Sequence, residues 1–358
     1  MDLKSLLKEV VLRDASDLHI GENIKPSIRI DGNLIRLEGE ELNRKEIERM
    51  FSEILSKSQY DYYLKNHEID FSFPFEHEGL SARFRGNCFF ESYKMAGAFR
   101  LIPSRIRSID DLNLPPVLKE IALRRRGLFL VTGPTGHGKT TTLAAIINEI
   151  NQTRSDHIIT IEDPIEYVYK SDKCIIHQRE VGADTCSFTE ALRRALRQDP
   201  DVILIGEMRD LETMTFAITA SETGHLVLGT LHTQDASQSI DRIIDVFPSH
   251  QQQQVRSQLG TVLVGICSQQ LIPRDGGGRV CATEILVANP AVRNCIKEAR
   301  TSHIKTIIQT GLTIGMHTME QSLADYVKSG EISREVAAIF AYDSKDLDRI
   351  LLDSERQD

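Results

Sequence analysis

Gly133-Pro134-Thr135-Gly136-His137-Gly138-Lys139-Thr140 is the stretch that decides how this chain is read. The spacing is G-x-x-x-x-G-K-[ST]. An apolar run at 128–132 precedes it, and a helical pattern at 141–150 follows. A glycine-rich loop between a strand and a helix is the setting in which such a motif binds a triphosphate. The glycines let backbone N–H groups wrap the phosphates, and the helix amino terminus adds partial positive charge. Lys139 is expected to reach the β- and γ-phosphates, and the Thr140 hydroxyl to ligate Mg²⁺. The predicted nucleotide-binding set is these eight residues with Thr141, and the predicted ligands are ATP and Mg²⁺.

Working outward, Asp201-Val202-Ile203-Leu204-Ile205-Gly206-Glu207 is an apolar strand that ends in a carboxylate. In P-loop enzymes a neighbouring strand carries such an acid beside the γ-phosphate. Gly206 stands where an aspartate is usual, so Glu207 is the candidate general base toward water; the plainer alternative is a solvated strand-end glutamate. Apolar runs at 128–132, 158–161, 202–205 and 226–229 are continuous, as strands buried on both faces are. They predict an α/β domain with a parallel sheet. Ser187-Phe188-Thr189-Glu190 reads as a capping box opening a helix over 191–198. Arg193, Arg194 and Arg197 on that helix are either a solvated face or a contact with another subunit. Asp275-Gly276-Gly277-Gly278 reads as a flexible connection, and residues beyond about 289 read as helices.

The first hundred residues lack a βαβ rhythm and predict an α+β domain. They comprise an amphipathic helix over 1–13, a hairpin over 27–36 turning at Asp31-Gly32, a helix over 43–64, and strands from 69 to 102 with turns near 78–79 and 94–97. The expected organisation is a domain over 1–102, a linker over 103–118 containing Pro103, Pro115 and Pro116, and a larger domain over 119–358.

Composition narrows the function. The 358 residues suit two domains. A net charge of −9 argues against nucleic acid as the main partner. The six cysteines form no C-x-x-C pair, which disfavours a four-cysteine zinc site and suits a reducing cytosol. Residues 1–13 lack a signal-peptide core, and no run approaches the ~18–20 apolar residues a membrane span needs. The expectation is a cytoplasmic protein that meets a membrane only through a partner.

The chain also resembles the secretion-ATPase superfamily and, within it, the PilT-like type IV pilus retraction ATPases. Thr160-Ile161-Glu162-Asp163-Pro164-Ile165-Glu166-Tyr167 is similar to the family's aspartate box, implying Glu162 and Glu166 in catalysis and Asp163 at the metal. Gly206-Glu207-Met208-Arg209-Asp210 looks like its atypical Walker B. Gly224-His225-Leu226-Val227-Leu228-Gly229-Thr230-Leu231-His232-Thr233 is similar to its histidine box, implying that His225 and His232 sense nucleotide. Arg83-Phe84-Arg85-Gly86-Asn87-Cys88-Phe89 and Ala98-Phe99-Arg100-Leu101-Ile102-Pro103 match segments whose arginines reach the γ-phosphate. Arg85 and Arg100 fit best, with Arg83 in reserve. Ala291-Val292-Arg293-Asn294-Cys295-Ile296 resembles the AIRNLI motif of retraction ATPases.

The resemblance implies a PAS-like first domain, a RecA-like ATPase domain and a homo-hexamer. It further implies an inner-membrane platform protein as partner and, through it, the pilin filament. Alternatives are an assembly-type pilus or type II secretion ATPase, and a slow nucleotide-gated regulator of such a motor.

Overall fold

The computed structural model describes residues 2–30, 33–102 and 106–355. It divides into two compact units: 1–105 with 164–168, and 106–163 with 169–358.

The first unit holds an antiparallel sheet of β1 (Asp17–Gly21), β2 (Ser27–Ile30), β3 (Asn33–Arg36), β4 (Glu68–His77), β5 (Leu80–Glu91) and β6 (Lys94–Ile102), in the order β3-β2-β1-β6-β5-β4. The strands follow their pattern. In β4, Ile69, Phe71, Phe73 and Phe75 point inward while Glu68 and Asp70 point out, the two-residue period of a half-buried strand. Leu3, Leu6, Ile47, Phe51 and Tyr63 from three helices join those rings in one core.

Two expectations change here. The helix expected over 43–64 is two helices, Arg44–Ile54 and Lys57–Asn66, because Ser56 and Gln59 form a capping box that starts the second. The turn expected at 94–97 lies at Ser92-Tyr93, both at positive φ. Gly97 sits inside β6, and a Cβ there would lie 3.1 Å from the Phe51 ring, so this glycine serves packing. The expected turn Asp31-Gly32 lies outside the described residues, although Ile30 pairs with Asn33 across it.

The second unit is built on β7 (Gly127–Thr132), β8 (His157–Glu162), β9 (Ile175–Glu180), β10 (Val202–Ile205), β11 (Leu226–Leu231), β12 (Leu263–Pro273) and β13 (Arg279–Val287), in the order β13-β12-β7-β11-β10-β8-β9. All neighbours pair in parallel except β12 and β13. Every residue of β7, β10 and β11 is buried, as their unbroken apolar runs require. The pairs Thr132–Leu231, Ile205–Gly229 and Ile205–Ile161 bring the carboxyl ends of β7, β11, β10 and β8 to one edge. At such an edge α/β sheets bind ligands.

The linker expected over 103–118 is not a loose connection where it is described. Ile109, Leu114 and Leu118 are buried in the core of the second unit, and helix Val117–Ala122 begins inside the stretch. Pro103 lies outside the described residues. Residues 275–278 are the loop of the β12–β13 hairpin, whose three glycines all have positive φ. The capping helix is Phe188–Ala195. Ser187 accepts from Glu190 N, while the Glu190 carboxylate turns to Arg193 and Arg194.

Candidate nucleotide site

The phosphate loop joins β7 to helix Lys139–Thr153. Gly138, at φ +82°, is the N-cap residue and offers no side chain to the first turn. A helix amino terminus carries partial positive charge, and an anion suits it. Lys139 is buried. Its Nζ donates to Gly133 O at 2.7 Å and Pro134 O at 3.0 Å, so the ammonium rests on its own loop.

His232 follows β11 and bridges two parts of the site. Its Nδ1 lies 3.4 Å from Lys139 Nζ and 3.3 Å from Thr135 Oγ1, both donors, while its Nε2 lies 2.9 Å from Glu207 Oε1. Nε2 faces the carboxylate as a donor. Arg209 grips the same carboxylate with two nitrogens, at 2.6 Å and 2.5 Å. Burial raises the Glu207 pKa, but the Arg209 hydrogen bond and the charges of His232 and Arg209 outweigh it. The carboxyl is held below its usual range and stays ionised at neutral pH.

Glu162 ends β8 and is buried; Thr160 Oγ1 donates to its Oε1 at 2.7 Å and Gln178 Nε2 at 3.2 Å. The neighbouring glycine explains itself here. A Cβ on Gly206 would lie 3.3 Å from Glu162 Cα and 3.2 Å from Ile161 O, so a side chain would crowd the Glu162 backbone. Asp163 is exposed and its charge acts on Arg209. Thr140 and Thr141 stand half-buried in the first turn of the helix.

Other predicted residues stand apart. His225 precedes β11 and His232 follows it, so about 20 Å of strand separates the two. The His225 Nδ1 sits 2.9 Å from Ala220 O and 3.2 Å from Thr223 Oγ1, at the end of helix Leu211–Glu222. The two histidines that the resemblance assigns to nucleotide sensing thus lie at opposite ends of one strand. Glu166 is exposed in the 164–168 segment that groups with the first unit. Arg85 and Arg100 face each other across β5 and β6, on the side opposite Phe84 and Phe99. Arg100 Nε donates to Asp17 Oδ1 at 2.8 Å, which offsets two like charges in register. Arg83 donates to Ser72 Oγ at 2.7 Å.

Sequence reading gave no role to Arg209, Gln178 or Gln269. Arg209 was visible two residues beyond Glu207. Gln178 and Gln269 act across strands that only the fold brings together. Arg293 proves structural in its contacts: it donates to Gly260 O, Thr261 O and Leu263 O, closing the carboxyl end of helix Ser249–Val262.

The model of the family described as "Type II/IV secretion system protein" matches residues 1–337. A type IV pilus retraction ATPase, PilT, of Pseudomonas aeruginosa is 47% identical over 337 residues, covering 94% of this chain and 97% of that protein. A type II secretion system protein E of Klebsiella pneumoniae is 35% identical over 282 residues, but the match covers 76% of this chain and only 54% of that one. A crystal structure of the pilus retraction motor PilT with bound ADP superposes with a TM-score of 0.91 at 45% identity, covering 98% of this chain and 99% of that one. A phosphate loop with its acid strand, inside a match of this extent, places the chain in the type II/IV secretion system protein family.

Proposed function

We infer that the chain is an ATP-hydrolysing motor that drives type IV pilus retraction. The observation that carries the reading is the convergence of Lys139, His232, Glu207 and Arg209 on the phosphate loop. The likeness to a retraction ATPase supports it over an assembly or secretion motor, at 47% identity against 35% for the type II protein.

Phosphoryl transfer asks for position and charge more than covalent chemistry. Lys139 leaves Gly133 O and Pro134 O for the triphosphate. Glu207, ionised and held by Arg209, takes a proton from the attacking water. His232 senses the change at Glu207 and the loop together. The Thr140 hydroxyl with Asp163 offers hard oxygen donors, the kind Mg²⁺ prefers, and Glu162 serves catalysis beside them. When bound, the ion would neutralise charge on the β- and γ-phosphates. Arg85 and Arg100 close on the γ-phosphate in a homo-hexamer, which requires Arg100 to leave Asp17. Glu166 belongs to the same set. His225, at the end of helix Leu211–Glu222, couples nucleotide sensing to that helix. No described helix is long and apolar enough to cross a membrane; force passes to the pilin filament through an inner-membrane platform protein that the cytoplasmic motor meets.

Deleting the gene and counting surface pili tests the direction of work. Excess pili with lost twitching are expected, restored by the wild-type gene but not by Glu207→Ala. Bald cells would make it an assembly motor.

A further inference from the structure

The phosphate loop is backed by a strand that carries no recognised motif. In β12, Ser268 pairs with Thr132 of β7, and Thr132 Oγ1 donates to Ser268 Oγ at 2.9 Å. Gln269 therefore runs beside the start of the loop. A Cβ on Gly133 would lie 2.3 Å from Gln269 O, so only glycine, at φ +141°, lets the two backbones approach. The Gln269 side chain is 1% exposed, and its Nε2 donates to His137 O at 2.7 Å. Leu271 N donates to His137 Nδ1 at 3.0 Å. Residues 268–271 thus hold the loop at its first residue and again at His137.

Packing alone gives no reason for a glutamine here. Its Oε1 is buried with no hydrogen-bond partner among the described residues. Such an atom costs about 1–3 kcal/mol, and an apolar side chain of the same size would avoid the cost. The donor end, in contrast, is aimed at one main-chain carbonyl between Gly136 and Gly138, both at positive φ. A trans peptide points its C=O and its N–H in opposite directions. Holding His137 O against β12 therefore turns the Gly138 N–H away from β12. Two flanking glycines would otherwise let that peptide rotate at little cost.

We propose that Gln269 is a positioning residue for nucleotide: by gripping the His137 carbonyl it fixes the orientation of the 137–138 peptide and keeps the phosphate loop ready for the β-phosphate. The idea rests on reading 133–140 as the nucleotide site. It separates an effect on phosphate binding from an effect on folding, because the residue that aids the first carries a cost in the second.

The test is Gln269→Met in the full-length protein, with the dissociation constant for ADP, KM and kcat for ATP, and the melting temperature measured together. ADP affinity should fall about 3–10-fold, the equivalent of one hydrogen bond. KM for ATP should rise similarly with kcat within about twofold. Melting should be unchanged or higher, since the unpaired Oε1 is gone. Gln270→Met, which loses a donor to Phe340 O on the other side of the strand, should lower melting and leave ADP affinity intact. Lower melting and lower kcat at unchanged KM in Gln269→Met would mean a structural role only and overturn the proposal. If Gln269→Met does not fold, Gln269→Leu, which is apolar, slightly smaller and also loses the donor, is judged by the same affinities. Lys139→Ala in the same assay separates the two levels. Intact ADP affinity there would remove the nucleotide-site reading itself. A loss there without a loss in the Gln269 variants would remove only the positioning role.

Discussion

The two ends of β11 carry the same residue type and differ in everything else. At the carboxyl end, His232 touches the loop, Lys139 and the acid of the next strand. At the amino end, the His225 ring meets the carbonyl of Ala220 and the hydroxyl of Thr223. A parallel sheet makes the difference. The carboxyl ends of its parallel strands share one edge, so groups from β7, β8, β10 and β11 meet there, while residues at the amino ends meet the helices that feed the strands. The end of the strand, not the kind of side chain, sets what each ring meets.

The sharpest way to break this contrast is Glu207→Ala. Steady-state ATP turnover should fall by about 10²–10⁴-fold while ADP binding persists, since general-base assistance is lost and the loop is untouched. Turnover near wild type would move the base elsewhere on that edge. Next comes the histidine pair. His232→Ala should lower kcat by roughly 10-fold as Glu207 loses a partner. His225→Ala should leave kcat within about twofold but cost about 1 kcal/mol of stability, the worth of a helix-end hydrogen bond. Equal kinetic losses in both would show that the amino end also acts in turnover.

A subtler effect concerns Arg209. Its guanidinium holds Glu207 below the usual carboxylate range against burial. In Arg209→Ala burial is less opposed, so the acidic limb of the pH profile of kcat/KM should move to higher pH. An unmoved limb would detach that limb from Glu207.

The smallest expected effect lies away from the site, where Glu284 accepts from Ala236 N at 2.9 Å. Burial pushes its pKa up to about 7. The folded chain therefore holds this proton through a window, from about 4.5 to about 7, in which the unfolded chain has released it. The contribution of Glu284 to stability is full below that window and is lost as pH rises through it. His137 and His317 run the other way: burial lowers both, so the unfolded chain binds their protons more readily and stability falls as pH drops below about 6.5. Glu284→Gln keeps the acceptor and removes the charge. Unfolding at pH 8 should show it about 3 kcal/mol more stable than wild type, with the gap closing toward pH 5. A gap independent of pH would exclude a buried carboxylate as its source.

Legibility varied with the range of the interaction. The phosphate loop, the acid strand and the fully apolar strands were readable because each is set by a run of neighbours in the chain. The split at Ser56 was readable in principle, since its capping box is local, but a continuous helical pattern masked it. The Gly97 turn was misplaced because glycine marks a turn locally, whereas here it makes room for Phe51 from another element. The linker was misread because Ile109 and Leu114 take their meaning from a core assembled by distant strands.

From the sequence alone follow the α/β class, the position of the loop and the identity of its acid, since periodicity and motif spacing are properties of consecutive residues. The tertiary structure decided which of two like histidines meets that acid, what a side chain at position 206 would crowd, and that a glutamine 132 residues from His137 holds its carbonyl. Those depend on strand order and register, which place residues distant in the chain within hydrogen-bond reach. No local pattern encodes that distance.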